Sequence, residues 1–244
     1  MYSPKIAFAL SVLKTLAYMS NGVSNGESNA GPGLEYSIVA LSYRGFWTSR
    51  GRPSQKGIEL DAVAALKWVL QSGAKEDMES SIVLWGQSIG AGVATNLAAK
   101  YLHQQGEIGK DKPNISGLIL ETPFLGIRSM LAALYPQKWL PYRYLWPFLR
   151  NWWDSETALR RVAAAGRAQR LRVLIVQAGR DEIIGVEQAS SLEALCRDLN
   201  MDVERKVVAG ALHTQAMARG EGREAVVSFL QRLDQSVAKS HPAP

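Results

Sequence analysis

The sequence predicts an α/β fold with a mostly parallel sheet flanked by helices, and three observations lead there. Short β-prone apolar runs alternate with segments whose apolar residues recur at helical spacing. The first such run, Tyr36 to Tyr43, is apolar along most of its length, as in parallel strands covered on both faces. Finally, Gly86-Gln87-Ser88-Ile89-Gly90 stands between an apolar run and a helical pattern, the strand–turn–helix context in which G-x-S-x-G exposes a serine at a sheet edge.

The elements follow in order. Ser3-Pro4 ahead of Ile6, Leu10, Leu13, Leu16 and Ala17 reads as a cap, a proline at the first helical position and an apolar stripe, so residues 4–19 are expected to be helix. Residues 20–33, built of Asn, Gly, Ser and Glu, offer too little to bury and are expected to be a flexible loop. A strand over Tyr36–Tyr43 comes next and ends at Arg44-Gly45. Then helix Ile58–Leu70, strand Ser81–Trp85, helix Gly90–Leu102 and strand Ile115–Leu120 are predicted. Strand Leu171–Gln177, helix Val186–Leu199, strand Val203–Val208 and helix Glu224–Leu233 complete the alternation, and residues 236–244 are expected to be a disordered tail.

One segment breaks the rhythm. Residues 124–168 hold four of the seven tryptophans, among them Trp139 and Trp146, together with Pro136, Pro141 and Pro147. They are expected to form an insertion that packs on the body and, as a lid, lines an apolar substrate pocket with Phe124, Trp139 and Trp146.

Composition bounds the rest. With 244 residues, 47% apolar and 20% charged, the chain is expected to form a single domain over residues 1–244 and is not disordered as a whole. Its formal charge of +6 comes from scattered Lys and Arg with no long basic run and no nucleic-acid module, which reads as a solvated surface, with a peripheral membrane contact as the further reading of a basic face. The lone Cys196 excludes internal disulfides and multi-cysteine zinc sites, and it is expected to be packed in its helix. No metal spacing and no phosphate loop occurs, so neither metal nor cofactor is expected. The apolar run Ile6–Leu13 is shorter than a bilayer span of about 20 residues, and no secretory signal is seen.

The chemistry gathers on three residues. A sharp turn lifts Ser88 above the sheet edge and sets the Ile89 N–H at a helix N-terminus, where an oxyanion would form. A serine hydroxyl needs a base. Of three histidines, His241 is in the tail and His103 lies on the order of 20 Å down the helix at 1.5 Å per residue, which leaves His213, just past the last strand. Asp181 follows the preceding strand at the same carboxyl edge and is the candidate to orient His213, while the adjacent Glu182 is expected to point elsewhere.

These residues resemble the α/β hydrolases, more narrowly the bud-emergence-type serine hydrolases and their alpha/beta-hydrolase-domain relatives in animals. The likeness covers about residues 36–235. It is carried by Ser42-Tyr43-Arg44-Gly45, Pro53 to Gly57 with Asp61-Ala62, the Ser88 turn, Glu121-Thr122-Pro123-Phe124, Trp153-Asp154-Ser155, and the Asp181 and His213 loops. It implies hydrolysis of esters or thioesters, often of lipid-like or acylated substrates, without cofactor, in a cytoplasmic or membrane-associated protein.

The family also carries earlier strands, a His-Gly loop donating a second oxyanion N–H, and commonly an N-terminal membrane anchor. This sequence starts near the helix after that loop, so an N-terminally truncated fold is expected, lacking the strand between Tyr36–Tyr43 and Ser81–Trp85. Thr214-Gln215 replaces the usual Asn-Asp after the histidine. The alternative reading is a catalytically weak or silent scaffold or membrane-associated binding protein.

Overall fold

The computed structural model describes residues 36–72, 81–105, 114–134 and 151–240. The expected helix 4–19, the loop 20–33, Trp139 and Trp146 lie outside them.

Helix α1 (Gln55–Ser72) leads to β1 (Ser81–Gln87), α2 (Ile89–Gln105), β2 (Asn114–Glu121), α3 (Ile127–Leu134), α4 (Ser155–Ala164), β3 (Arg172–Ala178), α5 (Val186–Asp198), β4 (Asp202–Val208) and α6 (Gly220–Ser240). The strands pair in the order β1-β2-β3-β4, all parallel. Because side chains alternate along a strand, β2 and β3 feed two cores. Leu118, Leu120, Val173 and Ile175 face α2, α4 and α5, whereas Ile119, Leu174 and Val176 face Val226, Phe229 and Leu233 of α6. That two-sided burial explains the unbroken apolar runs in the sequence.

The carboxyl ends of the strands are level. One residue beyond each of the first three, the backbone N–H still reaches the neighbouring strand: Ser88 to the Glu121 carbonyl (2.8 Å), Thr122 to Val176 (2.8 Å) and Gly179 to Val208 (2.9 Å). The loops after all four strands therefore start along one edge.

The structure differs from the sequence reading, or adds to it, at four points. Tyr36 to Tyr43 forms no strand, and Ile38, Val39 and Leu41 are exposed. An extended run becomes a strand through a hydrogen-bonded neighbour, and among the described residues β1 pairs with β2 alone. The segment is instead tied down by side chains. The Tyr36 hydroxyl donates to Asp234 of α6, and Arg44 grips Asp61 of α1 with its backbone N–H, Nε and Nη2 at 2.9, 3.0 and 2.7 Å.

Second, the described ends of the expected lid belong to the body. Ala158, Leu159 and Val162 of α4 are buried in the main core, and Asp154 caps that helix by accepting the Thr157 N–H at 2.9 Å. Third, α3 and α4 form where no element is predicted. Fourth, α6 continues to Ser240, past the expected start of the tail at 236, and 241–244 lie outside the described residues.

Cys196 is fully buried, and burial pushes its thiol up to about 12, so it stays protonated and unreactive in the folded chain. Among the described residues no helix is long and apolar enough to cross a membrane.

Candidate active site

Three strand ends contribute the polar cluster. After β1, Ser88 sits at φ +53°, a left-handed conformation that non-glycine side chains rarely adopt and that costs energy unless the surroundings hold it. They do so by packing α2 hard against the turn. A Cβ at Gly86 would lie 1.9 Å from the Gly90 carbonyl oxygen, so only glycine lets the helix start there. Gly90 itself is less constrained, since a Cβ there would meet only the Tyr43 hydroxyl, at 3.8 Å. Ile89 opens α2, and its side chain is exposed while its N–H is among those without an intrahelical acceptor.

After β3, the Asp181 carboxylate accepts the backbone N–H groups of Ile183 (2.9 Å) and Ile184 (2.7 Å) through one oxygen. Both its oxygens also lie within reach of His213 Nδ1, at 3.0 and 2.9 Å. Both side chains are almost entirely withdrawn from water. Burial strengthens the pairing and leaves His213 one ring orientation, with Nε2 free for a second partner.

After β4, Gly210 at φ +67° reverses the chain toward His213. Gln215, at one of the two positions that depart from the family pattern, closes this loop: its N–H donates to the Leu212 carbonyl (2.9 Å), and its side-chain oxygen accepts the Leu212 N–H (3.3 Å).

Two groups escaped the sequence reading. Glu182 does not point elsewhere, because its Oε2 accepts the His213 backbone N–H at 2.9 Å. That hydrogen bond holds the Glu182 carboxyl below the usual carboxylate range. The contact joins residues 31 apart, and no local spacing announces it. Gln87 Nε2 donates to Glu121 Oε1 at 2.8 Å and reaches the His213 carbonyl at 3.4 Å, which ties the serine turn to the histidine loop. The unnamed residue of a G-x-S-x-G turn gives no hint of this.

Among the described residues no hydrogen bond joins the Ser88 hydroxyl to the His213 ring, so the structure brings Asp181 and His213 together and sets Ser88 on the same edge. Phe124, expected in the substrate pocket, is buried with Ile58, Ala62, Val93, Trp153 and Ile184. It follows β2 directly and turns inward over the start of α2. Trp153 is buried in the same cluster, at φ +42°. No group of three or more potential metal ligands occurs among the described residues.

Comparison with known proteins gives the family of the chain. A family model for the alpha/beta hydrolase fold matches residues 58–217. Protein bem46 of Schizosaccharomyces pombe is 30% identical over 163 residues, which is 67% of this chain and 48% of that protein. The Lysophosphatidylserine lipase ABHD12 of Bos taurus is 36% identical over 121 residues, 48% of this chain and 27% of the relative. An alpha-beta hydrolase crystal structure from Vibrio vulnificus superposes with a TM-score of 0.55 at 21% identity, covering 80% of this chain and 61% of that one. The chain thus spans about half the length, or less, of the curated relatives it matches.

Proposed function

Since the chain belongs to the alpha/beta hydrolase fold family, of the bud-emergence type, we propose that it is a serine hydrolase of carboxylic esters. The observation that carries this reading is the buried His213–Asp181 pair on the sheet edge from which Ser88 rises in a strained turn. In the first half-reaction the Ser88 hydroxyl attacks the acyl carbon and its proton passes to His213 Nε2. The oxyanion forms against the Ile89 N–H, aided by the α2 dipole. His213 then protonates the departing alkoxide, leaving an acyl ester on Ser88. Water, deprotonated by His213, attacks that ester, releases the acid and restores the serine. Asp181 orients the His213 ring and stabilises the imidazolium.

The finer reading is a lipid-like or acylated substrate, a thioester included. It draws support from the relative named as a lysophosphatidylserine lipase and from the aromatic residues that the sequence gathers between 135 and 150. A peripheral membrane contact would suit such a substrate.

A second reading, a weak or silent hydrolase-fold scaffold, has its own observation. The described residues supply one helix-terminal N–H, that of Ile89, for an oxyanion, and one such donor is typically worth about 10²–10³ in rate.

Fluorophosphonate labelling separates the two. On the hydrolase reading the purified chain labels, Ser88→Ala abolishes the label, and long-chain esters are cleaved faster than short ones. Absence of label on a chain folded by circular dichroism refutes it and leaves the scaffold.

A further inference from the structure

Helices α1, α2 and α4 start side by side, because the Gln55 side-chain oxygen takes the N–H groups of Trp152 and Trp153, and Trp153 packs over Gly92. Between α1 and α4, over the face of α2 turned away from the sheet, they leave a groove of about 570 Å³. That volume falls in the range of small-molecule sites, ~300–1,000 Å³. Its floor is apolar, with Val63 of α1 and Leu97 of α2 partly exposed over the buried Ala62 and Val93.

Charge is distributed unevenly along it. Glu59, one turn into α1, lines the groove, and its Oε1 accepts the Gln55 amide at 2.8 Å. Farther along come Lys100 and His103, on the fourth and fifth turns of α2, and Arg161 of α4. All three are exposed and form no ion pair among the described residues. The span from Val93 to His103 is about 15 Å at 1.5 Å per residue, which suits an alkyl chain laid along the helix.

We propose that this groove is a binding site for a free long-chain carboxylate, distinct from the Ser88 site. The alkyl chain lies on Val63 and Leu97, over Ala62 and Val93, and the head meets Lys100, His103 and the planar fork of Arg161, which donates two parallel hydrogen bonds to a carboxylate. The apolar floor selects against small anions, and the basic end selects against uncharged chains.

The test is calorimetric titration of the whole chain with laurate below its micelle concentration, with dodecanol, acetate and anionic phosphatidylserine vesicles in parallel. Saturable laurate binding is expected, equal in Ser88→Ala and weakened at least tenfold both in Lys100→Glu/Arg161→Glu and in Leu97→Trp, which fills the floor. Dodecanol and acetate should bind at least tenfold more weakly. Circular dichroism checks each variant, and Val63→Trp replaces Leu97→Trp if the latter does not fold. The proposal is overturned if laurate fails to bind the folded chain, if its affinity survives both changes, or if Ser88→Ala abolishes it. Vesicle binding that persists in the groove-filled variant, with no binding of free laurate, overturns it in favour of a membrane surface.

Discussion

His213 Nδ1 lies 2.9 Å from Asp181 Oδ2, across 32 residues of chain, and both side chains are nearly excluded from water. Asp181 reaches this position because two backbone N–H groups, of Ile183 and Ile184, hold its other oxygen. In Asp181→Asn the amide keeps an oxygen for those donors but offers His213 the wrong polarity or the wrong tautomer. Ester hydrolysis should fall by about 10⁴-fold with the fold intact. Steady-state rates on a chromogenic ester, with near-ultraviolet circular dichroism alongside, check this.

Glu182 predicts a pH dependence. Its carboxyl is held below the ordinary 4.5 by the His213 backbone N–H. A group lowered in the folded state adds stability that is fully present above its unfolded value and is lost as pH falls through the folded one. Urea midpoints of wild type and Glu182→Gln should therefore differ at pH 7 and converge as the pH drops below 4.5. A gap that stays constant from pH 7 to 3.5 would remove Glu182 from the histidine loop's support.

The two glycines of the serine turn should behave oppositely. Gly86→Ala drives a methyl to within 1.9 Å of a backbone oxygen and should cost about 3 kcal/mol or more. Gly90→Ala, with its nearest neighbour at 3.8 Å and a place in the first turn of a helix, should leave stability equal or raise it by up to about 1 kcal/mol. Thermal melts of the two variants decide the matter directly.

Thr122, next to the Glu121 carbonyl that receives the Ser88 N–H, is buried, and its hydroxyl has no hydrogen-bond partner among the described residues. Replacing that hydroxyl with a methyl in Thr122→Val removes a desolvated polar group and keeps the shape. A gain of about 1 kcal/mol in denaturant unfolding is expected. A loss would mean that the hydroxyl has a partner in solution.

The alternation of most elements, the serine turn and the placement of Asp181 and His213 at one sheet edge were legible in the sequence by itself. Each rests on a local pattern: period-2 or period-3.6 apolarity, a G-x-S-x-G between strand and helix, or a residue one loop beyond a strand end. Level strand ends then bring those loops to one edge whatever their separation in sequence. What the tertiary structure decided depends on partners far along the chain. Tyr36 to Tyr43 has the composition of a strand but no hydrogen-bonded neighbour among the described residues, and composition alone does not make a ladder. Phe124 is apolar and follows β2, as a pocket residue would, yet packing with Val93 and Trp153 buries it. Glu182 and Gln87 acquire their places from a histidine loop 31 and 126 residues away. Periodicity is written in neighbouring residues, whereas a hydrogen-bond partner is chosen only when the sheet has closed and excluded water around it.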